Sequence, residues 1–275
     1  MNQYKLFAFD LDGTMLQKGG ILSSRAAASL EKAAKAGIEI VPATGRMKNF
    51  LPQSLRQLPF IRYAITSNGA AVYDLKSDEL LFSCLISTQQ AAAVLELLEE
   101  YPIYVEYYAH GNAVTQQDAP KMAVEKFGFP KEKLMFLKKD YTLVESLRKT
   151  VLEKGVCPEK INLPFLPEAI RRELWQRLEA MGGLKLTSSV PDNLEINAGN
   201  CDKGAGLRGL CSALGIPQEQ TVAIGDNGND IAMLEFAGFS IAMGNGTPEA
   251  KKAADAVTAS CEEEGAALAV ETYLL

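Results

Sequence analysis

Histidine occurs once in the 275 residues, at His110. A multi-histidine zinc centre within one chain is therefore excluded, and a mechanism needing two imidazoles is disfavoured. Cysteine is scarce and odd in number, at positions 84, 157, 201, 211 and 261, without the paired spacing of zinc or thioredoxin motifs. Free, mostly buried thiols are expected. No stretch approaches the roughly 20 apolar residues that cross a bilayer, and Met1 leads into an apolar strand without a signal-type core. A cytoplasmic protein with no membrane partner is expected. Basic excess is missing as well: 28 Lys and Arg against 34 Asp and Glu leave a net charge of −6. That argues against nucleic acid as the main partner, because a phosphate polymer wants a basic face. A small anionic substrate stays open wherever positive charge is local. What remains is 47% apolar and 23% charged, ordinary for a globular chain with a sizeable core in one large domain or two.

Leu6 to Phe9 is apolar without alternation, which fits a strand covered on both faces, so Asp10 falls at its carboxyl end. Open parallel sheets place chemistry there. Asp10 and Asp12 share a face in extended chain, and the Asp12-Gly13 turn keeps both near one point. Two crowded carboxylates repel unless something positive compensates; Mg2+ takes hard oxygen ligands and would do so. Taken alone, a strand followed by an Asp-Gly turn reads equally well.

Three further motifs lie after or near predicted strands: Thr44-Gly45-Arg46, Lys203, and Gly225-Asp226-Asn227-Gly228-Asn229-Asp230. Thr44 offers a hydroxyl and Gly45 a bare amide to a phosphoryl oxygen at a strand-to-helix junction. Arg46 has two readings, a clamp on substrate or a salt bridge. Lys203 opens a helix, where its charge opposes the dipole, so another partner is implied, although in isolation it reads as a solvated lysine. The Gly225–Asp230 stretch fits a capped loop, but its packed carboxylates and carboxamides favour a metal site. Gly13, Asn68 and Gly69 would line the same rim; Asn68 could instead serve only its own turn.

With these four motifs in this order, the chain resembles the haloacid dehalogenase superfamily, and more narrowly its Cof-type branch with a large cap inserted mid-chain. Each motif alone is weak; together they are specific, and the resemblance covers essentially the whole chain. It implies a Mg2+-dependent phosphatase that hydrolyses phosphate monoesters of small metabolites, such as sugar phosphates, nucleotides or phosphorylated cofactors, through an aspartyl phosphate. Asp10 is then the nucleophile, and Asp12 the general acid and later the base. Asp10 and Asp226 would bind Mg2+ by carboxylate and Asp12 by its backbone carbonyl. Asp230 would reach the metal's water shell or Lys203. Lys203 would offset charge on Asp10 and the phosphoryl group, and Asn229 would contact phosphate or support the metal. The alternatives are a phosphomutase or a non-enzymatic phosphometabolite-binding protein; the mark of the latter, a missing catalytic carboxylate, is not found. Monomer and homodimer both stay open.

The expected fold is α/β: a Rossmann-like doubly wound parallel sheet with an inserted α+β cap domain. Residues 1–82 and 189–275 form the core, and 83–188 the cap. In the core, a Ser23- or Ser24-capped helix to Lys35 precedes strand Ile38–Pro42, a helix runs to about Leu58, and Arg62–Thr66 is a third strand. Ala71–Tyr73 and Leu80–Cys84 can pair. In the cap, strands Ile103–Tyr108, Ala113–Gln116, Leu134–Lys138, Val156–Leu163 and Leu184–Ser188 alternate with helices Thr88–Glu100, Ala119–Phe127, Leu143–Glu153 and Pro167–Met181. Pro191–Asn197 would lead back to the core. Glu106, Tyr108 and His110 share a strand face and turn, so they can reach substrate or simply pack. Arg148, Arg171, Arg172 and Arg177 read as a solvated face.

Overall fold

In the computed structural model the described residues are 3–128, 141–189 and 192–275. They fall into two compact units. The first comprises residues 1–46, 50–83 and 202–275, the second 47–49 and 84–201.

The first unit is built on a five-stranded parallel sheet in the order Ala256–Val257, Phe239–Ala242, Thr221–Gly225, Leu6–Phe9, Glu39–Pro42. Leu6–Phe9 is an interior strand, between Thr221–Gly225 and Glu39–Pro42, and is wholly buried, as an apolar run without alternation requires. Successive side chains point to opposite faces and enter two different cores. Phe7 and Phe9 pack with Leu30 of helix Ser24–Lys35 and Val270 of helix Gly265–Tyr273. Leu6 and Ala8 pack with Leu207 and Leu210 of helix Lys203–Leu214 and Met233 of helix Ile231–Phe236. Helices Ser24–Lys35 and Lys203–Leu214 start where the sequence predicts. Ser23 Oγ accepts from Ala26 N at 3.0 Å and Asp202 Oδ1 from Ala205 N at 2.7 Å; each such cap contributes about 1 kcal/mol.

Two expectations for this unit change. The helical stretch expected after Arg46 to about Leu58 is instead two short pieces, Lys48–Phe50, whose first two residues belong to the second unit, and Gln53–Arg56, because Pro52 at the N-cap of the latter cannot continue the former. The third strand, Tyr63–Thr66, meets the parallel sheet only through an isolated Ala43–Ile65 bridge, and pairs antiparallel with Ala71–Asp74, which pairs in turn with Glu79–Ser83. A two-residue hairpin pair, Leu16–Gln17 with Ile21–Leu22, follows the first strand.

The second unit holds a six-stranded mixed sheet in the order Tyr141–Val144, Asn112–Gln116, Glu106–Ala109, Lys160–Leu163, Leu194–Ala198, Leu184–Thr187. Only the first of these pairs is parallel. Leu194–Ala198, expected to lead back to the parallel core, lies between two strands of this sheet, so the unit extends to Cys201 rather than ending at 188. The predicted helix Leu143–Glu153 begins later, at Leu147, because Ser146 caps it with Oγ accepting from Lys149 N at 3.2 Å; Tyr141–Val144 is strand. Strand Leu134–Lys138 lies outside the described residues. No helix among the described residues is long and apolar enough to cross a membrane. None of the five cysteines forms a disulfide, and only Cys157 is exposed.

Candidate active site

Strands Leu6–Phe9 and Thr221–Gly225 are direct neighbours, with Phe9 opposite Ile224. Their carboxyl ends therefore release Asp10 and Asp226 side by side, and Asp10 N extends the ladder by donating to Ile224 O at 3.0 Å. Carboxylate oxygens of Asp10, Asp226 and Asp230 lie within 4.8 Å of one another. One ammonium enters the group. Lys203 Nζ, with no exposure, donates to Asp10 Oδ1 at 2.5 Å and to Asp230 Oδ1 at 2.6 Å.

Burial pushes the Asp10 carboxyl well above the ordinary aspartate range, against the pull of Lys203, with Asp230 and Asp226 adding to the rise. Burial also raises Asp226, against a hydrogen bond from Thr14. For Lys203, burial alone favours the neutral amine, but Asp10 and Asp230 outweigh it and hold the ammonium above its usual range. Two buried carboxylates and the half-buried Asp226 facing one buried ammonium leave a surplus of negative charge, and their oxygens suit a hard divalent cation.

Local structure explains each placement. Asn227 and Asp230 form a capping box at the turn Gly228–Asp230. Asp230 Oδ2 accepts from the backbone N–H groups of Asp226 at 2.9 Å and Asn227 at 3.0 Å, while Oδ1 takes Lys203. Both oxygens of Asp230 thus hold the loop and the lysine. Gly225 permits this fold-back, since a Cβ there would stand 2.5 Å from Cβ of Asp230. On the opposite side Gly13, at φ +92°, lies so close that a Cβ would meet Asp226 Oδ2 at 2.7 Å, and Thr14 Oγ1 donates to Asp226 Oδ1 at 2.8 Å.

The Thr44 loop is tied to the next turn. Asn68 N donates to Thr44 O at 3.0 Å and Ser67 N to Arg46 O at 2.9 Å. Thr44 is buried, and its Oγ1 accepts from Arg46 N at 3.2 Å. Ser67, Asn68 and Gly69 are all left-handed, at φ 52°, 59° and 91°; two of them are non-glycine, a strain that persists only where the surroundings over-determine it. Gly69 cannot carry a side chain, because it would collide with the Asp202 carbonyl at the start of the Lys203 helix. Asn229 Nδ2 reaches Asn68 Oδ1 at 3.4 Å.

Most of the expected residues therefore converge: Asp10, Asp226, Asp230 and Lys203 as one group, and Gly13, Asn68 and Asn229 around it. Asp12 and Arg46 behave differently. The Asp12 carboxylate is more than half exposed and is held by Arg46 in a fork, Nε at 2.8 Å and Nη2 at 2.5 Å, which is the salt-bridge reading of Arg46. Glu106 and Tyr108 share a face of the second unit's sheet, where Glu106 Oε1 accepts from Tyr108 Oη at 3.0 Å and Asn162 Nδ2 at 2.8 Å. His110 is exposed in its turn at φ 52°. The four arginines pair with glutamates, Arg148 with Glu96, Arg171 and Arg172 with Glu168, and Arg177 with Glu100. Sequence reasoning gave Thr14 no role; a hydroxyl just after the paired aspartates was its only signal.

The profile of the haloacid dehalogenase-like hydrolases matches residues 7–270. The chain belongs to that family. It is 31% identical to phosphatase YwpJ of Bacillus subtilis, over 96% of this chain and 97% of the relative. It is 27% identical to the pyridoxal phosphate phosphatase YbhA of Escherichia coli, over 98% and 99%. Among solved structures, a sugar phosphatase of subclass IIB of the superfamily superposes with a TM-score of 0.81 at 25% identity, covering 98% of this chain and all of the other. Fold class and superfamily thus agree with the sequence reading.

Proposed function

We propose that this member of the family is a Mg2+-dependent phosphatase of small phosphorylated metabolites, working by double displacement through phosphorylated Asp10. The observation that carries the reading is the buried Lys203 bridging Asp10 and Asp230 beside Asp226. A lysine with no solvent contact, held between two carboxylates at a helix start, supplies positive charge at the point where phosphoryl transfer needs charge offset.

The Asp10 carboxylate attacks phosphorus, an oxygen–phosphorus bond forms, and the ester bond to the leaving alcohol breaks. Asp12 supplies the proton to the departing oxygen. Water then attacks the phosphorus of phospho-Asp10 while Asp12 accepts a proton from that water, the bond from Asp10 oxygen to phosphorus breaks, inorganic phosphate leaves, and Asp10 is restored. To do this Asp12 exchanges its Arg46 fork for the substrate, which costs little, since a half-exposed pair is worth about 0–1 kcal/mol. Thr44, Gly45 and Asn68 supply donors to the phosphoryl oxygens, with Asn229 beside Asn68, and Arg46 is placed to meet an anionic substrate once released. Mg2+ would be held by the carboxylates of Asp10 and Asp226 and the carbonyl of Asp12, with Asp230 behind them, and supplies charge neutralisation at the phosphoryl group.

Phosphate release from a panel of phosphorylated sugars, nucleotides and cofactors tests the proposal, with Asp10→Asn as the control that keeps the fold and loses turnover. Full turnover by that variant, or release that requires a bisphosphate primer, overturns it.

A further inference from the structure

The loop after strand Phe239–Ala242, Met243–Thr247, holds the Asp226 loop by its backbone. Met243 N donates to Gly225 O at 3.0 Å and Thr247 N to Asp226 O at 2.9 Å. Gly246 lies close enough that a Cβ would stand 3.2 Å from the Asp226 carbonyl oxygen. The same loop reaches the other catalytic strand by one side chain. Asn245 Nδ2 donates to Gly13 O at 2.9 Å, and its Oδ1 accepts from Cys261 N at 2.7 Å. A carbonyl can only accept and an amide N–H only donate, so these partners settle the orientation of the carboxamide. Lys251 Nζ, donating to Gly244 O at 2.6 Å, pins the loop from the other side.

From this connection we infer that Asn245 is a positioning residue: it sets the separation between the loop carrying Asp10 and Asp12 and the loop carrying Asp226, and thereby the affinity of the site for its divalent cation. The inference rests on the reading of those three residues as the cation-binding set. Gly13 follows Asp12 directly, so a shift of its peptide turns the Asp12 carbonyl as well. The tolerance is small, because Gly13 already lies against Asp226 Oδ2. Asn245 itself is exposed, so its replacement removes two hydrogen bonds without opening the core.

The test uses Asn245→Ala and Asn245→Ser, neither of which spans both partners. Mg2+ binding to the full chain is measured by calorimetry, and hydrolysis of p-nitrophenyl phosphate is followed over a Mg2+ titration. The Mg2+ dissociation constant is expected to rise about tenfold in both variants, the range seen when the supports of a metal ligand are removed. KM for the phosphate ester at saturating Mg2+ should stay within twofold. An unchanged Mg2+ constant in both variants, with or without a lower melting temperature, overturns the inference and marks Asn245 as merely structural. Mg2+ uptake by the unaltered protein without any phosphate release refutes the phosphatase reading alone, and the calorimetric comparison still decides the role of Asn245.

Discussion

Lys203 and Asp230 form an ion pair at 2.6 Å in which neither side chain is exposed to solvent. Removing one partner of such a pair leaves the other charged in a medium that solvates it poorly, a cost of about 3–5 kcal/mol. Lys203→Ala should therefore lower unfolding stability by about that amount in urea titrations. Phosphate release should fall by roughly a hundredfold or more. Retention of both stability and turnover would refute the charge-offset role.

The proposed function couples Mg2+ to Asp226. Chelation should stop phosphate release reversibly, and Asp226→Asn should raise the Mg2+ concentration required. Because the ion binds only the folded site, Mg2+ at 100 times its dissociation constant should stabilise the protein by about 2.7 kcal/mol, read as a rise in melting temperature. In Asp226→Asn that rise should shrink; an equal rise in both proteins counts against Asp226 as a ligand.

Arg46 is expected to split stability from binding. Its pair with Asp12 is half-exposed, so Arg46→Ala should change unfolding free energy by no more than about 1 kcal/mol. KM for phosphate esters should rise. A variant with unaltered KM would show that the guanidinium serves only Asp12.

Gly69→Ala should be among the most damaging single methyl additions. The position needs φ +91°, and the new Cβ would strike the Asp202 carbonyl. The left-handed backbone alone costs about 1–2 kcal/mol, and relief of the collision must move the start of the Lys203 helix. Stability should fall by more than that figure, with turnover falling in parallel; a stable, active variant contradicts the packing described.

Glu106 gives the second unit a pH signature. Burial raises its carboxyl above the usual 4.5, with Asn162, Tyr108, Tyr141 and Lys160 opposing the rise. A group whose acid form is favoured by folding contributes stability that is complete below about pH 4.5 and fades as pH rises through the folded-state value. Glu106→Gln keeps the oxygen that accepts from Tyr108 and Asn162, so its stability relative to the unaltered protein should improve from pH 4.5 to pH 7.5. A difference that does not vary with pH would refute the assignment.

The parts legible beforehand were those with local causes. The uninterrupted apolar run Leu6–Phe9, the caps Ser23 and Asp202, and the carboxylates after two buried strands all announce themselves within a few residues. What could not be read depends on partners far along the chain. Leu194–Ala198 alternates apolar Leu194, Ile196 and Ala198 with polar Glu195 and Asn197, which marks a strand but not which strands flank it, so its place in the second sheet was hidden. Thr14 bonds to a residue 212 positions away and Asn245 to one 232 positions away. Nothing near either residue signals those contacts.

The pairing of Leu6 with Thr221 also bears on synthesis. In a nascent polypeptide Leu6–Phe9 and Asp10 are made well before the strand that flanks them on one side, Thr221–Gly225, and Asp226 with it. No fragment that stops short of Asp226 can assemble the cluster, so an unfinished chain holds Leu6–Phe9 without a neighbour on that edge. Shielding that edge until Thr221–Gly225 is made is a demand that this order of strands places on the cell.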